Sequence, residues 1–442
     1  MNAKNLLHCE ERKKFGQERR RTIGRSKHAT WDAKRRTYDP IDLLIAANRD
    51  RIPELLPIKM GRMAISPFTF YRGSVPLMAA DLATMPNTNI AVQICGDAHV
   101  RNLGAFAAPD GKLVFDVNDF DETVEAPWEW DLKRLATSLI LAGRDAGDTE
   151  RACRAAVREF SRNYRETIHL LAEMPYLEAV RYRVHLAADL AVRSALHKAT
   201  RATPLQNLKK LTVPANHSRH FKEQRPLLTH VRPALRKIIL DSFGMYRDTL
   251  SPERRHMLDL YRPVDVAFKV VGTGSVATRD YVVLMFGNGL RDPLFLQIKE
   301  EPLSSYAPYL PAPQTNINQG RRVVDGQRRM QVEPDPLLGW TSFDGRDYLV
   351  RQMSDHKAAI DNQDLGGKGL VSYAQTCGQV LAKGHTRSGD PYAIAGYIGI
   401  GTKLDKALEK FAVAYADQVS SDHDLFRKAI RTGQIKAAKV SA

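Results

Sequence analysis

The chain holds only four cysteines, Cys9, Cys95, Cys153 and Cys377, and none of them forms a CxxC pair. That scatter excludes a disulfide framework and supplies no Cys/His spacing suited to zinc. It points to reduced thiols and a cytoplasmic location. No apolar run approaches the ~18 residues of a membrane-spanning helix, and the first residues are charged rather than signal-like, so no membrane partner is expected. There is no internal repeat. No Ser-His-Asp or Cys-His arrangement suggests a hydrolase.

What is abundant is positive charge. Sixty-six Lys and Arg residues stand against 50 Asp and Glu, a formal net charge of +16, which favours anionic partners such as phosphates or nucleotides. Much of it lies in ERKKFGQERRRTIGRSKH and DAKRR. Residues 1–40 therefore read as a basic, partly disordered tail. Nucleic-acid binding through that tail is the alternative, but no aromatic residues alternate with the basic ones to stack on bases.

At 442 residues, the chain is too long for one ordinary core. Helical spacing of apolar positions dominates residues 41–261, which read as a large lobe. Residues 262–355 switch to strands separated by glycine turns, a small β-rich lobe, and residues 356–442 return to helices that pack back on the large lobe. The expected class is α+β, helical lobe first and β-rich lobe after it.

Within the first lobe, the stretch CGDAHVRNLGAFAAPDGKLVFDVNDFDET, Cys95 to Thr123, crowds acids into segments that otherwise read as buried strand. Buried carboxylates need a cation to face. An Asx-turn and a helix cap could absorb one or two of these acids, but not four. Asp97 and Asn102 are spaced D-x-x-x-x-N, and Asp116 follows Asn102 by fourteen positions. GDAHVRN resembles the HGDxHxxN loop of small-molecule kinases, with Cys95 in place of the His. In such enzymes the Asp orients the attacking hydroxyl, and the Asn and the later Asp hold Mg²⁺ against nucleotide phosphates. Asp97 and Asn102 are thus the candidate catalytic residues, with Asn102, Asp116 and, second in rank to Asp116, Asp119 as metal ligands. Asp121 could face a Lys or Arg at the rim. His99 could contact substrate or orient Asp97, Arg72 could reach a phosphate or pair with an Asp, and Asp131 reads as an anchor for the catalytic loop.

A phosphate cradle is expected in VVGTGSVATRDYVVLMF, where Gly272, Thr273, Gly274 and Ser275 sit between strands and Ala277 takes the third glycine position of G-x-G-x-x-G. LFLQIKEE adds Lys299 at the end of a buried run, a candidate for the phosphates of ATP. The following helix offers Asp325 where a kinase would carry Glu. Kinases place these elements before the catalytic loop; here they come after it. A circular permutation accounts for the order.

SPFTFYRG, CGDAHVRNLG, FDVNDFDET, WEWDLKRLATSL, GTGSVATRDYVVL, LQIKE, VVDGQRRMQ, YLVRQM and AKGHTRSGD together resemble the bacterial family called domain of unknown function 2252, over roughly residues 50 to 425. The resemblance implies a protein kinase-like fold and leaves the reaction open. The expectation is an ATP- and Mg²⁺-dependent phosphotransferase acting on a small-molecule or protein hydroxyl. A nucleotide-binding pseudokinase, or nucleotidyl transfer to a protein from the same site, are the alternatives.

Overall fold

The computed structural model describes residues 8–184, 190–215, 218–270, 272, 274–311, 315–353, 358–360 and 366–439. It is a mixed α+β protein in which helix predominates.

The larger core is helical. Helix Glu150–Glu173 starts where Thr149 accepts a hydrogen bond from Ala152 N, and it packs along the helix Lys368–Ser388. Helix Glu129–Asp145 is buried on nearly every side, as a helix crossing the middle of a core must be. Helix Lys403–Arg431 closes over both it and Glu150–Glu173. Against these helices lie an antiparallel pair, Ala91–Ile94 with Val124–Pro127, and a three-stranded sheet in which Leu103–Ala107 pairs with Leu113–Val117 on one side and Ala358–Ala359 on the other. Their registers set Ile94 opposite Val124 and Leu103 opposite Val117. The loops after Ile94 and after Val117 therefore emerge side by side, and Asn118 N donates to Asn102 O at 3.0 Å.

The smaller core surrounds a six-stranded antiparallel sheet in the order 339–343, 346–352, 293–300, 280–286, 262–269, 228–230. Every residue of Asp280–Phe286 and Pro293–Glu300 is buried, which requires cover on both faces. Leu208 and Phe221 belong to the apolar cluster over one face; Ile239, Tyr246, Leu250 and Leu258 join the other. Residues 204–261, assigned by sequence pattern to the large lobe, thus contribute to the sheet's cores. Amphipathic periodicity reports that a helix has a buried face, not which core receives it. Helix Gln319–Met330 lies between the fourth and fifth strands of this sheet in sequence and packs on Arg346–Gln352.

The basic segment differs most from expectation. Of residues 1–40, those from His8 onward pack on the large core, with Ile23 and His28 buried and most of the charged side chains exposed. Helix Cys9–Thr22 opens with a capping box at His8 and Glu11 and packs against helix Pro391–Ile398. Arg20 of this helix and Arg25 of the turn after it cap helix Pro391–Ile398: Arg20 Nε donates to Tyr397 O at 2.8 Å, Arg20 Nη2 bonds Gly396 O, and Arg25 Nη1 donates to Ile398 O at 2.5 Å. Cations at the negative end of a helix satisfy carbonyls that have no partner within it. Arg36 forks onto both Asp81 and Asp422. Part of the charge that reads as a solvated tail is thus spent on a helix end and on buried acids, while Lys13, Lys14, Arg21, Lys27, Lys34 and Arg35 stay exposed.

Candidate functional site

The acidic loop is held from below. Asp131, in the first turn of helix Glu129–Asp145, accepts from Cys95 N at 2.8 Å and Gly96 N at 3.0 Å. Gly96 has φ +80°, and a Cβ there would lie 2.3 Å from Glu122 O, so the loop needs glycine at this point. Tyr306 Oη donates to Gly96 O at 2.7 Å.

Asp97 follows. Arg134, one turn further along the helix of Asp131, donates to Asp97 Oδ1 from Nε at 2.8 Å and from Nη2 at 2.6 Å. The same guanidinium lies 4.3 Å from the centre of the Tyr71 ring. Burial raises the Asp97 carboxyl to about 6 against the pull of Arg134, with Asp119 and Glu122 adding to the rise. His99 Nδ1 accepts from Arg101 N at 3.1 Å, which leaves the proton on Nε2, 3.7 Å from Asp97 Oδ2. Burial, and then the charge of Arg72, keep this imidazole neutral. Asn102 donates from Nδ2 to Asp97 O at 2.9 Å, so its Oδ1 is the atom of that amide left to accept or to coordinate.

Asp119, Asp121 and Glu122 close the opposite wall. Lys299 reaches across from the sheet to bond Asp121 Oδ2, and its Nζ lies 3.9 Å from Asp119 Oδ1. Asp121 Oδ1 is buried without a hydrogen-bond partner. Burial first, then Asp119, raise the Asp121 carboxyl. Glu301, two residues along the strand from Lys299, is buried with neither carboxylate oxygen hydrogen-bonded; burial and Asp121 raise it well above the usual range. Glu122 is fully engaged by Ser304 and Ser305. From helix Gln319–Met330, Arg322 donates to the carbonyls of Asp121 and Thr123.

One cavity of about 310 Å³ gathers these groups. Asp97, His99, Asn102, Asp119, Asp121 and Glu122 line it together with Gly272, Gly274 and Ser275 of the glycine turn and with Arg72 and Lys59. Thr273 lies outside the described residues. The turn is fixed to the large core, for Arg51 Nη1 donates to Val276 O at 2.7 Å, Ile52 N donates to Ala277 O at 2.8 Å, and Arg62 bonds Gly272 O. Ala277 has φ +71°, so the third position of the pattern takes a glycine conformation although the residue is alanine. Arg72 Nε is buried without a partner, and burial together with Arg101 lowers its guanidinium to about 10.

Asp116 is not brought to this cavity. It pairs across the strands with Gly104, accepts from Val117 N at 2.9 Å and is bonded by Lys383 of helix Lys368–Ser388, beside a separate cavity of about 130 Å³. Asp119, beyond the strand end, lines the cavity together with Asn102. Lys299 is buried behind Asp119 and Asp121 rather than on the cavity wall. Asp325 is 46% exposed and pairs with Arg321, so the partners of Lys299 come from the acidic loop and not from the helix. Sequence reasoning missed Arg134 as the holder of Asp97. Its signal was present in WEWDLKRL, where Arg134 follows the loop anchor Asp131 by three positions.

The chain belongs to the family described as uncharacterized proteins conserved in bacteria, DUF2252, which matches residues 51–429. No curated protein and no solved structure matches it. No helix among the described residues is long and apolar enough to cross a membrane.

Proposed function

We propose that the protein is a kinase-like phosphotransferase of circularly permuted order, which binds Mg²⁺-ATP in this cavity and transfers a phosphoryl group to a hydroxyl. One observation carries the reading. Lys299, from the sheet, bonds Asp121 and approaches Asp119 of the acidic loop, so segments 178 residues apart meet at one cavity. The element order supports it too: strand, glycine turn, strand, strand bearing lysine, helix, two strands, then the long helix that leads in a kinase to the catalytic loop.

The donor set fits magnesium. Among the described residues no three His, Cys, Asp or Glu side chains converge as a metal cage. Mg²⁺ does not ask for one, because it keeps several waters and binds through one or two carboxylates plus substrate phosphates. Asn102 Oδ1 and Asp119 would hold it, with the unpartnered Asp121 Oδ1 alongside. Bound there, the ion would neutralise charge on the phosphates. Arg72, with its unsatisfied Nε, supplies further positive charge, Lys299 holds Asp121 and approaches Asp119 from behind, and the backbone N–H groups of Gly272, Gly274 and Ser275 would cover the phosphates. Asp97 Oδ2 takes the acceptor's proton as the hydroxyl oxygen bonds to the γ-phosphorus. The bond from that phosphorus to the β,γ-bridging oxygen breaks, and ADP leaves.

A second reading, nucleotide binding without transfer, draws on the two hydrogen bonds by which Arg134 holds Asp97 Oδ1. A thermal-shift titration tests binding first. ATP at about a hundred times its dissociation constant stabilises the fold by roughly 2.7 kcal/mol. The reading expects a Mg²⁺-dependent shift that falls in Asp119→Asn and in Lys299→Ala. No shift with any nucleoside triphosphate would overturn both readings, and ADP release in the wild type, lost in Asp97→Asn, separates transfer from binding alone.

A further inference from the structure

Lys133 takes no part in the site above, although its helix neighbours Asp131 and Arg134 do. It is 2% exposed. Its Nζ meets Met85 Sδ at 3.3 Å and lies 4.8 Å from the centre of the Phe411 ring. Neither is a counter-ion. Among the described residues no carboxylate forms an ion pair with it: Glu129, one turn away, acts on it only through space and spends both oxygens on Thr88 N and Oγ1 at 2.6 and 2.9 Å. A buried ammonium without a counter-ion is costly unless something anionic reaches it.

There is room for such a group. Lys133 lines a cavity of about 260 Å³ that shares no residue with the first and is walled by Lys27, Trp31 and Arg35 of the N-terminal segment, with Met85 and Pro86 beneath. One acid, Asp32, is in the wall, and it accepts from Lys34 N at 3.0 Å. Nearby His28 cannot neutralise Lys133. Its Nε2 bonds Tyr397 Oη at 2.7 Å, its Nδ1 is buried without a partner, and burial and the charge of Lys133 hold the ring neutral. Burial lowers the Lys133 amine to about 8, which leaves it a cation at neutral pH.

We propose that this cavity is a second ligand site, which takes the oxyanion of a small carboxylate or phosphate compound against the Lys133 ammonium, with Lys27 and Arg35 at its rim. The site has no part in the proposed transfer reaction and stands whether or not that reaction occurs. It also gives the N-terminal segment a role besides packing, since that segment supplies two of the three cations.

Reductive methylation of the full-length protein, read residue by residue by mass spectrometry, tests this with inorganic phosphate and with acetate as probes. Phosphate at about ten times its dissociation constant should slow labelling of Lys133 by about tenfold. Protection by acetate alone would assign a carboxylate ligand, and protection by phosphate alone a phosphate ligand. Lys133→Met should fold with unchanged or higher thermal stability, because an apolar side chain replaces a buried charge. Labelling of Lys133 that neither anion slows would overturn the proposal, as would a large loss of stability in Lys133→Met, which would make the lysine a structural cation.

Discussion

Lys383 and Lys299 each reach an aspartate of the acidic hairpin region from a distant part of the chain, yet the two pairs differ in what they leave over. At Asp116 every oxygen is used: Oδ1 accepts from Val117 N and Oδ2 from Lys383. At Lys299 the acids are in excess. Asp119 is 32% exposed at its side chain, Asp121 keeps an unpartnered oxygen, and Glu301 keeps two. A closed pair holds a structure together. Buried carboxylate oxygens without a hydrogen-bond partner have capacity for a cation. Sequence spacing alone ranks Asp116 ahead of Asp119; in the fold Asp116 is closed in a pair with Lys383 and Asp119 is on the cavity wall.

The largest expected effect sharpens this contrast in opposite directions. Asp119→Asn should cost phosphoryl transfer about 10³-fold or more in single-turnover assays, with stability little changed. Asp116→Asn should leave ATP affinity within a few-fold but lower unfolding free energy by about 3–5 kcal/mol, because Lys383 is left buried and uncompensated. Urea denaturation of both variants reads the second quantity. Equal loss of affinity in the two would erase the distinction.

Next in size is the double variant Asp116→Leu/Lys383→Met. Removing both charges of a closed pair should restore most of what Asp116→Asn loses, returning stability to within about 2 kcal/mol of wild type. A double variant as unstable as the single one would mean that Asp116 does more than pair.

The pH profile probes the open cluster. Asp97 accepts a proton only as carboxylate, and burial places its titration at about 6. Activity as kcat/KM should therefore rise with pH through about 6 and level off above it. A profile flat from pH 5 to 8 would remove Asp97 as base.

Glu301→Gln should have the smallest effect. Burial raises the folded carboxyl above its unfolded value, so the fold is favoured while the group is protonated and loses that advantage as pH rises. The variant should gain on the order of 1 kcal/mol at pH 7 and nothing below about pH 4, where the unfolded carboxyl is protonated as well. Thermal unfolding across that range checks it.

The mixed α+β class and the family are legible in the sequence, the second because many ordered motifs recur together. The loops 95–102 and 118–123 are legible as an acidic cluster, since apolar strand residues flank them. Which acid faces the cavity is not. Asp116 lies inside a strand, where its direction follows from the pairing with Gly104, whereas Asp119 lies past the strand end, and neither fact is local to the motif. The role of the basic segment is also hidden, because capping carbonyls at Gly396 to Ile398 by Arg20 and Arg25 joins residues more than 370 positions apart. Arg134 shows the middle case, with its helix readable and its grip on Asp97 fixed only by the fold.

The most direct test of the claim that two distant segments form one nucleotide site is a double-mutant cycle on ATP affinity with Asp119→Asn and Lys299→Met, measured by calorimetry in Mg²⁺. Groups sharing one ligand should couple, and the account predicts an interaction energy of about 1 kcal/mol or more. Losses that add within about 0.3 kcal/mol, or no loss in either single variant, would contradict it.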